Sequence, residues 1–398
     1  MAYRPLAAVV LAAGDGTRMR SDRPKPLHRL CGRPMVLYVL DALAELPVEE
    51  VVVVVGHRGE WVSKAVTEQA PAGLSLTFVE QPERRGTADA LAVGLTALSD
   101  RMSEADGDVL VLPGDAPLLR AETLATLIRV HRLEEAAATL LTTRVEEASA
   151  GLRVVRGKDG SVVAVVPAAD THRLAETGAT PAGRGGARRR PGRSGGAAEN
   201  ADEDQGASLA SDVEVATTVH CFRHGVLAPA LRRIGPSGRD GEHHLADVYG
   251  VLSGAGYSLA SVPLSDPEEA AGVNDRAQLA VAEAELRRRI NLEWMRKGVT
   301  MWDPARTYVD ATVQLAPETV LLPGVILQGA TVVGAGAEIG PDCLLVDCEV
   351  GAGARVVASH ARHARIGEGA MVGPFVALAE GAVVGDGDQL RPPGPQAA

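Results

Sequence analysis

An apolar residue recurs every six positions in the C-terminal part of this chain. The first set comprises Val309, Leu315, Leu321, Leu327, Val333, Ile339 and Leu345, and the second comprises Ile366, Val372, Leu378, Val384 and Leu390. The two sets lie 21 residues apart at their join, so the phase slips once. A six-residue apolar period is typical of the hexapeptide parallel β-helix, which uses three repeats for each coil. We predict this fold over residues 299–390, followed by a disordered tail over 391–398.

The N-terminal part, residues 1–275, alternates between short apolar runs and helical patterns. Buried strands are predicted at 6–11, 51–55, 74–79 and 109–112, with helices over 34–46, 87–98 and 121–136. This alternation predicts an α/β domain with a mostly parallel sheet, whose ligands bind at the carboxyl ends of the strands. Residues 276–298 combine helical apolar spacing with strong helix formers, and we expect a connecting helix there.

Residues 178–208 interrupt the globular pattern. The segment is rich in glycine, alanine and arginine, then acidic, and it has almost nothing to bury. We predict a disordered surface insertion. Its arginines either contact an anionic partner or belong to a solvated loop.

Charge and cysteine content exclude several classes of protein. The formal net charge of −11 disfavours a general nucleic-acid binder, because phosphate backbones attract positively charged surfaces. The apolar run near the N-terminus is too short to span a membrane and lacks a signal-peptide cleavage region. The four cysteines form no CxxC pair, and a metal site at Cys343 and Cys348 would lack a second pair of ligands. We therefore expect a cytoplasmic protein with reduced thiols and no nucleic-acid or membrane partner.

A glycine loop follows the first predicted strand. Gly14 and Gly16 let backbone amides approach a phosphate or a base, and Arg18 and Lys25 add two positive charges. Met19 occupies the third glycine position of a dinucleotide fingerprint, and no Gly-Lys-Ser/Thr follows as in a P-loop. The loop predicts a phosphate site of another kind, with a tight strand-to-helix turn and surface bases as the alternative.

One acidic residue follows a different predicted strand. Asp115 lies in a Gly-Asp turn directly after the apolar run at 109–112. Because parallel strands end at the same edge of a sheet, we expect Asp115 at the edge that carries Gly14. A helix-capping role for this turn acid is the alternative.

The stretch LAAGDGTRMRSDRPKPLHRLCGRPM at residues 11–35 resembles the opening signature of sugar-nucleotide pyrophosphorylases. It is most similar to the bifunctional N-acetylglucosamine-1-phosphate uridylyltransferase/glucosamine-1-phosphate acetyltransferase family. Later segments agree, namely Gln81 with Gly86-Thr87, LPGDAPLL around Asp115, GEHHLADV at 241–248 and GVNDR at 272–276. The resemblance covers nearly the whole chain outside the insertion. It implies a Rossmann-like nucleotidyltransferase domain followed by a short left-handed parallel β-helix, assembled as a homotrimer.

The resemblance also assigns roles to individual residues. The backbone of Leu11, Ala12, Ala13 and Gly14 would hold the uracil of UTP, together with Gln81, Gly86 and Thr87. Arg18, Lys25 and Asp115 would be catalytic, with Arg18 and Lys25 on the UTP phosphates, and Asp115 and Asn274 would coordinate Mg²⁺. An all-oxygen pair of ligands suits this hard cation.

Three sugar-contacting positions differ from the family pattern. Leu152 stands where the family has a glycine, Pro167 where it has a glutamate that binds a hydroxyl, and Ala216 where it has an asparagine. Each change would cost about 1–3 kcal/mol for the usual sugar. We expect a reshaped or weakened sugar pocket, and misalignment across the insertion is the alternative.

The expected reaction converts UTP and N-acetylglucosamine-1-phosphate, or a related sugar-1-phosphate, to a UDP-sugar and pyrophosphate. Acetyltransferase activity is predicted to be absent, because the family's arginine-proline pair reads Ala379-Glu380 and the sequence ends soon afterwards. His360 and His363 do not match the family's catalytic histidine motif. Two alternatives remain, a non-catalytic trimeric scaffold or nucleotide sensor with a decayed sugar site, and an enzyme that uses dTTP or another nucleotide.

Overall fold

The structure is a computed structural model that describes residues 3–14, 16–146, 151–168, 180–181, 212–236 and 241–392. Contacts divide the chain into two units, one of residues 1–14 and 39–272 and the other of residues 15–38 and 273–398. Of the predicted insertion, only residues 180–181 are described, and they form a short strand; the rest lies outside the described residues, as does 393–398 of the predicted tail. Among the helices of the described residues, none is long and apolar enough to cross a membrane.

A ten-stranded mixed sheet forms the centre of the first unit. Its strands are β1 (Leu6–Ala12), β4 (Glu50–Val55), β5 (Leu76–Glu80), β6 (Asp108–Pro113), β7 (Ala138–Glu146), β8 (Leu152–Arg156), β9 (Val162–Pro167), β10 (Thr180–Pro181), β11 (Asp212–Arg223) and β12 (Leu259–Pro263). The remaining two early strands, β2 (Arg29–Leu30) and β3 (Arg33–Pro34), pair with each other as a hairpin of the second unit. The order β6-β1-β4-β5 is parallel, which confirms the four predicted strands. Beyond β6 the sheet continues through β11, which is antiparallel to β6, β7 and β8.

Helices follow the strands of this sheet. They are α1 (Met35–Ala44), α2 (Gly59–Gln69), α3 (Thr87–Leu95), α4 (Asp100–Glu104), α5 (Ala121–Leu133), α6 (His224–Leu231) and α7 (Asp247–Gly254), and α8 (Arg276–Arg296) belongs to the second unit. The three helices predicted between the first strands are confirmed as α1, α3 and α5. Helix α1 begins one residue later than predicted, because Pro34 pairs with Arg29 in the β2–β3 hairpin. Helix α8 begins after Asp275, whose side chain accepts a hydrogen bond from the backbone N–H of Gln278.

Short parallel strands in three stacked sheets form the rest of the second unit. They are β13 (Thr300–Met301), β14 (Tyr308–Val309), β15 (Gln314–Leu315), β16 (Val320–Leu321), β17 (Ile326–Gln328), β18 (Val332–Val333), β19 (Glu338–Ile339), β20 (Leu344–Val346), β21 (Glu349–Val350), β22 (Arg355–Val356), β23 (His360–Arg362), β24 (Arg365–Ile366), β25 (Met371–Val372), β26 (Val383–Val384) and β27 (Gln389–Leu390). Strands pair with the strand one coil later, as β16 does with β19. This is the predicted β-helix, and the six-residue apolar positions are buried inside it except for Leu378, which is half-buried, and Leu390, which is exposed in the last coil. Cys343 and Cys348 are buried free thiols in the same interior, where their Sγ atoms donate to backbone carbonyls.

The sequence indicated that the apolar repeat shifts once, between Leu345 and Ile366. In the structure this shift is distributed over three turns. Three turns are each one residue short, since the inward residues run Leu345, Val350, Val356, Ala361 and Ile366. As a result Leu345 pairs with Ala361 on the next coil and Val350 pairs with Ile366. The sequence analysis did not predict the three shortened turns, because Val350 and Ala361 do not fall at the regular six-residue positions.

We expect the shortened coil to reject a larger inward side chain. Ala361 is buried and stacks on Leu345, so Ala361→Leu should lower the free energy of unfolding by about 1–3 kcal/mol through overpacking. Urea unfolding of the two proteins measures this difference. Ala352→Leu, at an exposed position of the same coil, is the matched control and should be near neutral. Equal stability of Ala361→Leu and the wild type would contradict the short-coil geometry.

A buried carboxylate anchors the amino end of β6. Asp108 is fully buried, Arg132 donates from Nε to Oδ2 at 2.6 Å, and Arg4 Nη2 lies 3.2 Å from Oδ1. Burial by itself would raise the pKa of Asp108, but the attraction of His131 and Arg132 outweighs burial and the pKa is lowered. A lowered pKa means that this carboxylate stabilises the fold above its unfolded-state pKa and loses that contribution as pH falls through the folded-state pKa.

Replacing this carboxylate should therefore destabilise the protein in a pH-dependent way. Asp108→Asn removes the charged acceptor that Arg132 and the partly exposed Arg4 face, so we expect a loss of about 2 kcal/mol at pH 7. The difference from wild type should shrink as the pH falls below the ordinary carboxyl value of 3.8. Unfolding curves at a series of pH values measure it, with the exposed Asp100→Asn as control. If the difference in free energy of unfolding between wild type and Asp108→Asn grew towards acid pH, the lowered pKa of Asp108 would be contradicted.

Candidate active site

The carboxyl ends of β4 and β6 contact the end of β1, the first at Ala13 and the second at Leu11 and Ala12. Gly56 follows β4, and a Cβ built on it would lie 2.5 Å from the Ala13 carbonyl oxygen. Gly114 follows β6, and its amide donates to the Leu11 carbonyl at 2.8 Å. Only glycine permits so close an approach at position 56. The edge formed by these strand ends is where ligands bind in sheets of this kind.

The predicted uracil-binding stretch leaves the sheet at this edge. Ala12 and Ala13 are buried, Leu11 is half-buried, and Gly14 is exposed. A Cβ built on Gly14 would meet no atom within 4 Å, so open space lies beside this backbone. The structure therefore places Leu11, Ala12, Ala13 and Gly14 at the ligand edge with accessible main chain at its end.

Gln81 follows β5 and is buried, with its amide orientation set by a neighbour. Its Nε2 donates to Asp89 Oδ2 at 2.7 Å and to the Gly86 carbonyl at 3.3 Å. Asp89 can only accept hydrogen bonds when it is ionised, so the nitrogen of the amide must face it. The amide oxygen of Gln81 is then the atom that remains to accept a hydrogen bond from a ligand.

Gly86 and Thr87 hold the segment at 241–248. Gly86 has φ of 102°, and a Cβ built on it would lie 2.5 Å from the His243 carbonyl oxygen. The same oxygen accepts from the Ala88 amide at 2.9 Å, and Thr87 Oγ1 accepts from the Leu245 amide at 3.0 Å. Both predicted residues are thus part of a tight junction that positions helix α3 beside Gln81.

Asp115 lies at the same edge of the first unit, as the sequence predicted. It is half-buried in the turn that follows β6, next to Gly114. A Cβ built on Gly272 would lie 3.3 Å from Asp115 Oδ1, so the segment GVNDR begins beside this carboxylate. Gly272 belongs to the first unit, and the chain enters the second unit at Val273.

The second unit brings the predicted cations together on one amide oxygen. Asn274 Oδ1 accepts from Arg18 Nη2 at 2.9 Å and from Lys25 Nζ at 2.9 Å. Lys25 is 9% exposed, whereas Arg18 is exposed. Gly16, with φ of 61°, permits the loop to fold against Lys25, because a Cβ there would lie 2.7 Å from the Lys25 Cβ. The three predicted residues therefore form one polar cluster.

The three altered sugar positions lie side by side across the sheet. Leu152 on β8 pairs directly with Pro167 on β9 and with Ala216 on β11, and Ala216 in turn pairs with Thr142 on β7. Directly paired residues of antiparallel strands face the same side of a sheet. We call Pro167, Leu152, Ala216 and Thr142 the cross-strand row.

The cross-strand row lies towards the ligand edge of the sheet. Strand β11 runs antiparallel to β6, with His220 paired to Val111. Residues before His220, among them Ala216, therefore lie towards the carboxyl end of β6, where Asp115 follows. Among the described residues no group of three or more histidine, cysteine, aspartate or glutamate side chains could hold a metal ion, and the predicted metal ligands are instead one carboxylate and one amide.

Several residues of this site were not predicted from the sequence. Gly56 abuts Ala13, Asp89 orients Gln81, and His243 holds Gly86 through its main chain. A glycine directly after the valine strand was a usable signal for Gly56. The roles of Asp89 and His243 depend on contacts across the fold, and no local pattern indicates them.

The fold and the residues at its ligand edge define a nucleotidyltransferase. A family model described as the MobA-like NTP transferase domain matches residues 8–245. The bifunctional protein GlmU of Mycolicibacterium gilvum (strain PYR-GCK) is 40% identical over 385 residues, which cover 96% of this chain and 70% of that protein. The chain belongs to the GlmU family.

Other relatives and one solved structure are also similar. The bifunctional protein GlmU of Streptomyces avermitilis is 39% identical and that of Brevibacillus brevis 36% identical, each over 96% of this chain and over 72% and 74% of those proteins. The solved structure of CMP:2-keto-3-deoxy-manno-octonic acid synthetase complexed with CTP covers 72% of this chain and 99% of that chain, with a TM-score of 0.46 and 18% sequence identity.

We expect the junction at Gly86 to be required for nucleotide binding. Gly86→Ala forces a Cβ against the His243 backbone and should displace the loop beside Gln81, weakening UTP binding by about tenfold. Gly73→Ala is the matched control, because Gly73 has φ of 94° but open space around it. Both variants carry a similar backbone strain, and only the first should lose affinity in titration calorimetry. Equal UTP affinity in both would contradict a binding role for this junction.

Proposed function

We propose that this protein is a sugar-1-phosphate uridylyltransferase that converts UTP and a sugar-1-phosphate to a UDP-sugar and pyrophosphate. The orientation of Gln81 carries the proposal. Its amide nitrogen donates to Asp89 and Gly86, which leaves the oxygen as an acceptor at the ligand edge. Uracil and thymine offer an N3–H donor to such an oxygen, whereas N3 of cytosine is an acceptor and only its N4 amino group can donate. We propose that the oxygen of Gln81 accepts from N3–H of the base, which selects UTP or dTTP over CTP.

The cluster of Arg18, Lys25 and Asn274 supports binding of the triphosphate. Arg18 and Lys25 both donate to the amide oxygen of Asn274, so the two cations lie side by side. Lys25 is largely buried, so water screens its charge less than it screens an exposed lysine. We propose that Arg18 and Lys25 turn from Asn274 to the phosphates when the nucleotide binds.

We propose Asp115 and Asn274 as ligands of a divalent cation such as Mg²⁺. Asp115 supplies a half-buried carboxylate, and Asn274 supplies an amide oxygen that already faces two positive charges. Oxygen ligands of this kind, few in number, suit a cation that keeps several waters and also binds substrate phosphates. When bound, the ion would neutralise charge on the reacting phosphates.

The residues of this chain then have to hold UTP and the sugar-1-phosphate in the orientation that the reaction requires. An oxygen of the sugar-1-phosphate attacks the α-phosphate of UTP in line, and pyrophosphate leaves. The accessible backbone at Gly14 and the oxygen of Gln81 would fix the base, and Arg18 and Lys25 would stabilise charge on the phosphates. No general base is required of the protein, because the attacking phosphate oxygen is already ionised at neutral pH.

N-acetylglucosamine-1-phosphate is one candidate sugar, and the altered residues favour a related one. The cross-strand row contributes three apolar side chains, from Leu152, Pro167 and Ala216, and one hydroxyl. The pairing of the three altered positions with one another argues against misalignment as the origin of the changes, since unrelated positions have no reason to pair. We propose that they line a sugar pocket with altered specificity.

One alternative function and two predictions remain to be tested by experiment. A scaffold or nucleotide-sensing protein would bind UTP without releasing pyrophosphate. The homotrimer remains a prediction that light scattering tests. The absence of acetyltransferase activity also remains a prediction, and turnover of glucosamine-1-phosphate with acetyl-CoA would contradict it.

We expect Asp115→Asn to lower kcat/KM for pyrophosphate release by about 10²–10³, because the variant loses the negative charge of a metal ligand. The assay uses UTP, CTP or dTTP with Mg²⁺ and a panel of sugar-1-phosphates that includes N-acetylglucosamine-1-phosphate. The wild type should use UTP or dTTP and reject CTP.

Asp100→Asn provides the control for this assay, since it makes the same change at an exposed position. Full activity of Asp115→Asn would remove this carboxylate from the mechanism. Folded wild-type protein that binds UTP but releases no pyrophosphate with any sugar would favour the scaffold or sensor reading.

A further inference from the structure

A polar pocket of about 360 Å³ lies in the first unit next to the cross-strand row. It is lined by Thr142, Arg144, Arg156, Gly160, Glu214 and Pro263. Thr142 belongs to both the row and the pocket, because it pairs with Ala216 on one side and with Pro263 on the other. Arg144 and Glu214 pair directly, two positions further along the same strands, and so face the same side. The pocket therefore continues the surface on which the altered sugar positions lie.

The charges of this pocket favour an anionic ligand. Arg156 engages both carboxylate oxygens of Glu214, with Nη2–Oε1 at 2.7 Å and Nε–Oε2 at 3.0 Å. Arg156 also donates to the Gly160 carbonyl and to Ser261 Oγ, so most of its N–H groups are used within the protein and its charge is paired with Glu214. Arg144 is exposed and takes part in none of the ion pairs found among the described side chains. One positive charge is left over at the pocket.

Thr142 gives a second and independent indication of a ligand. Its side chain is fully buried, and its Oγ1 has no hydrogen-bond partner among the described residues. A buried hydroxyl without a partner is unfavourable, so such groups in native proteins are normally satisfied by protein, water or a ligand. The residue lines the pocket, so an oxygen or nitrogen atom of a ligand held there would provide the missing partner.

We propose that the sugar-1-phosphate used by this protein carries a carboxylate, as a uronic acid 1-phosphate does. This inference rests on the proposed uridylyl transfer. The sugar ring lies on the apolar side chains of Leu152, Pro167 and Ala216, its carboxylate binds Arg144, and a polar atom of the sugar hydrogen-bonds to Thr142. A free anion would need no adjacent apolar surface, whereas a ring with an acidic substituent uses both the row and the pocket.

Matched pairs of substrates test this proposal. Pyrophosphate release is measured with UTP and either glucose-1-phosphate or glucuronic acid 1-phosphate, and with N-acetylglucosamine-1-phosphate or its uronic acid counterpart. We expect kcat/KM for each acid to exceed that of its neutral partner by about tenfold or more, as a charged hydrogen bond provides. Arg144→Gln should remove this preference mainly through a higher KM for the acid, and the neutral sugar should change by less than about twofold.

Control variants separate the proposal from effects on folding. Lys158→Gln removes the same charge from an exposed position in the β8–β9 turn and should keep the preference for the acid. Thr142→Val should lower kcat/KM for the acid while leaving the thermal unfolding temperature equal or higher, since it removes an unpaired buried hydroxyl. A marked loss of stability in Thr142→Val would show that the hydroxyl has a protein partner and would overturn its assigned role.

The outcomes also distinguish this inference from the proposed function. Equal use of acidic and neutral sugars, or an equal loss for both in Arg144→Gln, would overturn the carboxylate assignment and leave uridylyl transfer intact. No pyrophosphate release with any sugar, from folded protein that binds UTP, would overturn both.

Discussion

The close approach of β4 and β6 to the end of β1 is the constraint on which the ligand edge depends. A side chain at Gly56 would collide with the Ala13 carbonyl, so the strands β1 and β4 can end together only because residue 56 is glycine. The hydrogen bond from Gly114 to Leu11 attaches the end of β6 two residues earlier on the same strand end. Gly14 and Asp115 are placed by this junction, and a shift of one strand end would separate the elements that a nucleotide has to contact together.

Two different hydrogen-bonding arrangements orient the polar side chains of the site. In the first unit, Asp89 orients the amide of Gln81 by accepting from its nitrogen, which decides the hydrogen-bonding character shown to a base. In the second unit, one amide oxygen of Asn274 accepts from Arg18 and Lys25 and holds the two cations side by side. Both arrangements fix the position of polar groups before a ligand binds. Preorganisation of this kind is what phosphoryl transfer asks of a protein.

Several elements could be predicted from the sequence because their signals are local. The valine run of β4, the glycine loop after β1 and the six-residue apolar period each reflect the burial or backbone requirement of a few neighbouring residues. The antiparallel strands from β7 to β11 were not predicted, since their pairing depends on partners distant in the chain. The three short turns of the β-helix were read as one slip because Val350 and Ala361 have no periodic neighbours to mark them.

The sequence by itself determined the alternation of strands and helices, the coil repeat and the residue types that suit a nucleotide, because these depend on composition and spacing along the chain. Tertiary structure decided which of those residues meet. Leu152, Pro167 and Ala216 become neighbours only through strand register, and Thr142 and Arg144 join them from another strand. Register is set by which faces the sheet buries and where β11 bulges, and that choice belongs to the packed core as a whole. The character of the proposed sugar pocket is therefore a property of the fold, although the residues proposed to line it can be read from the chain.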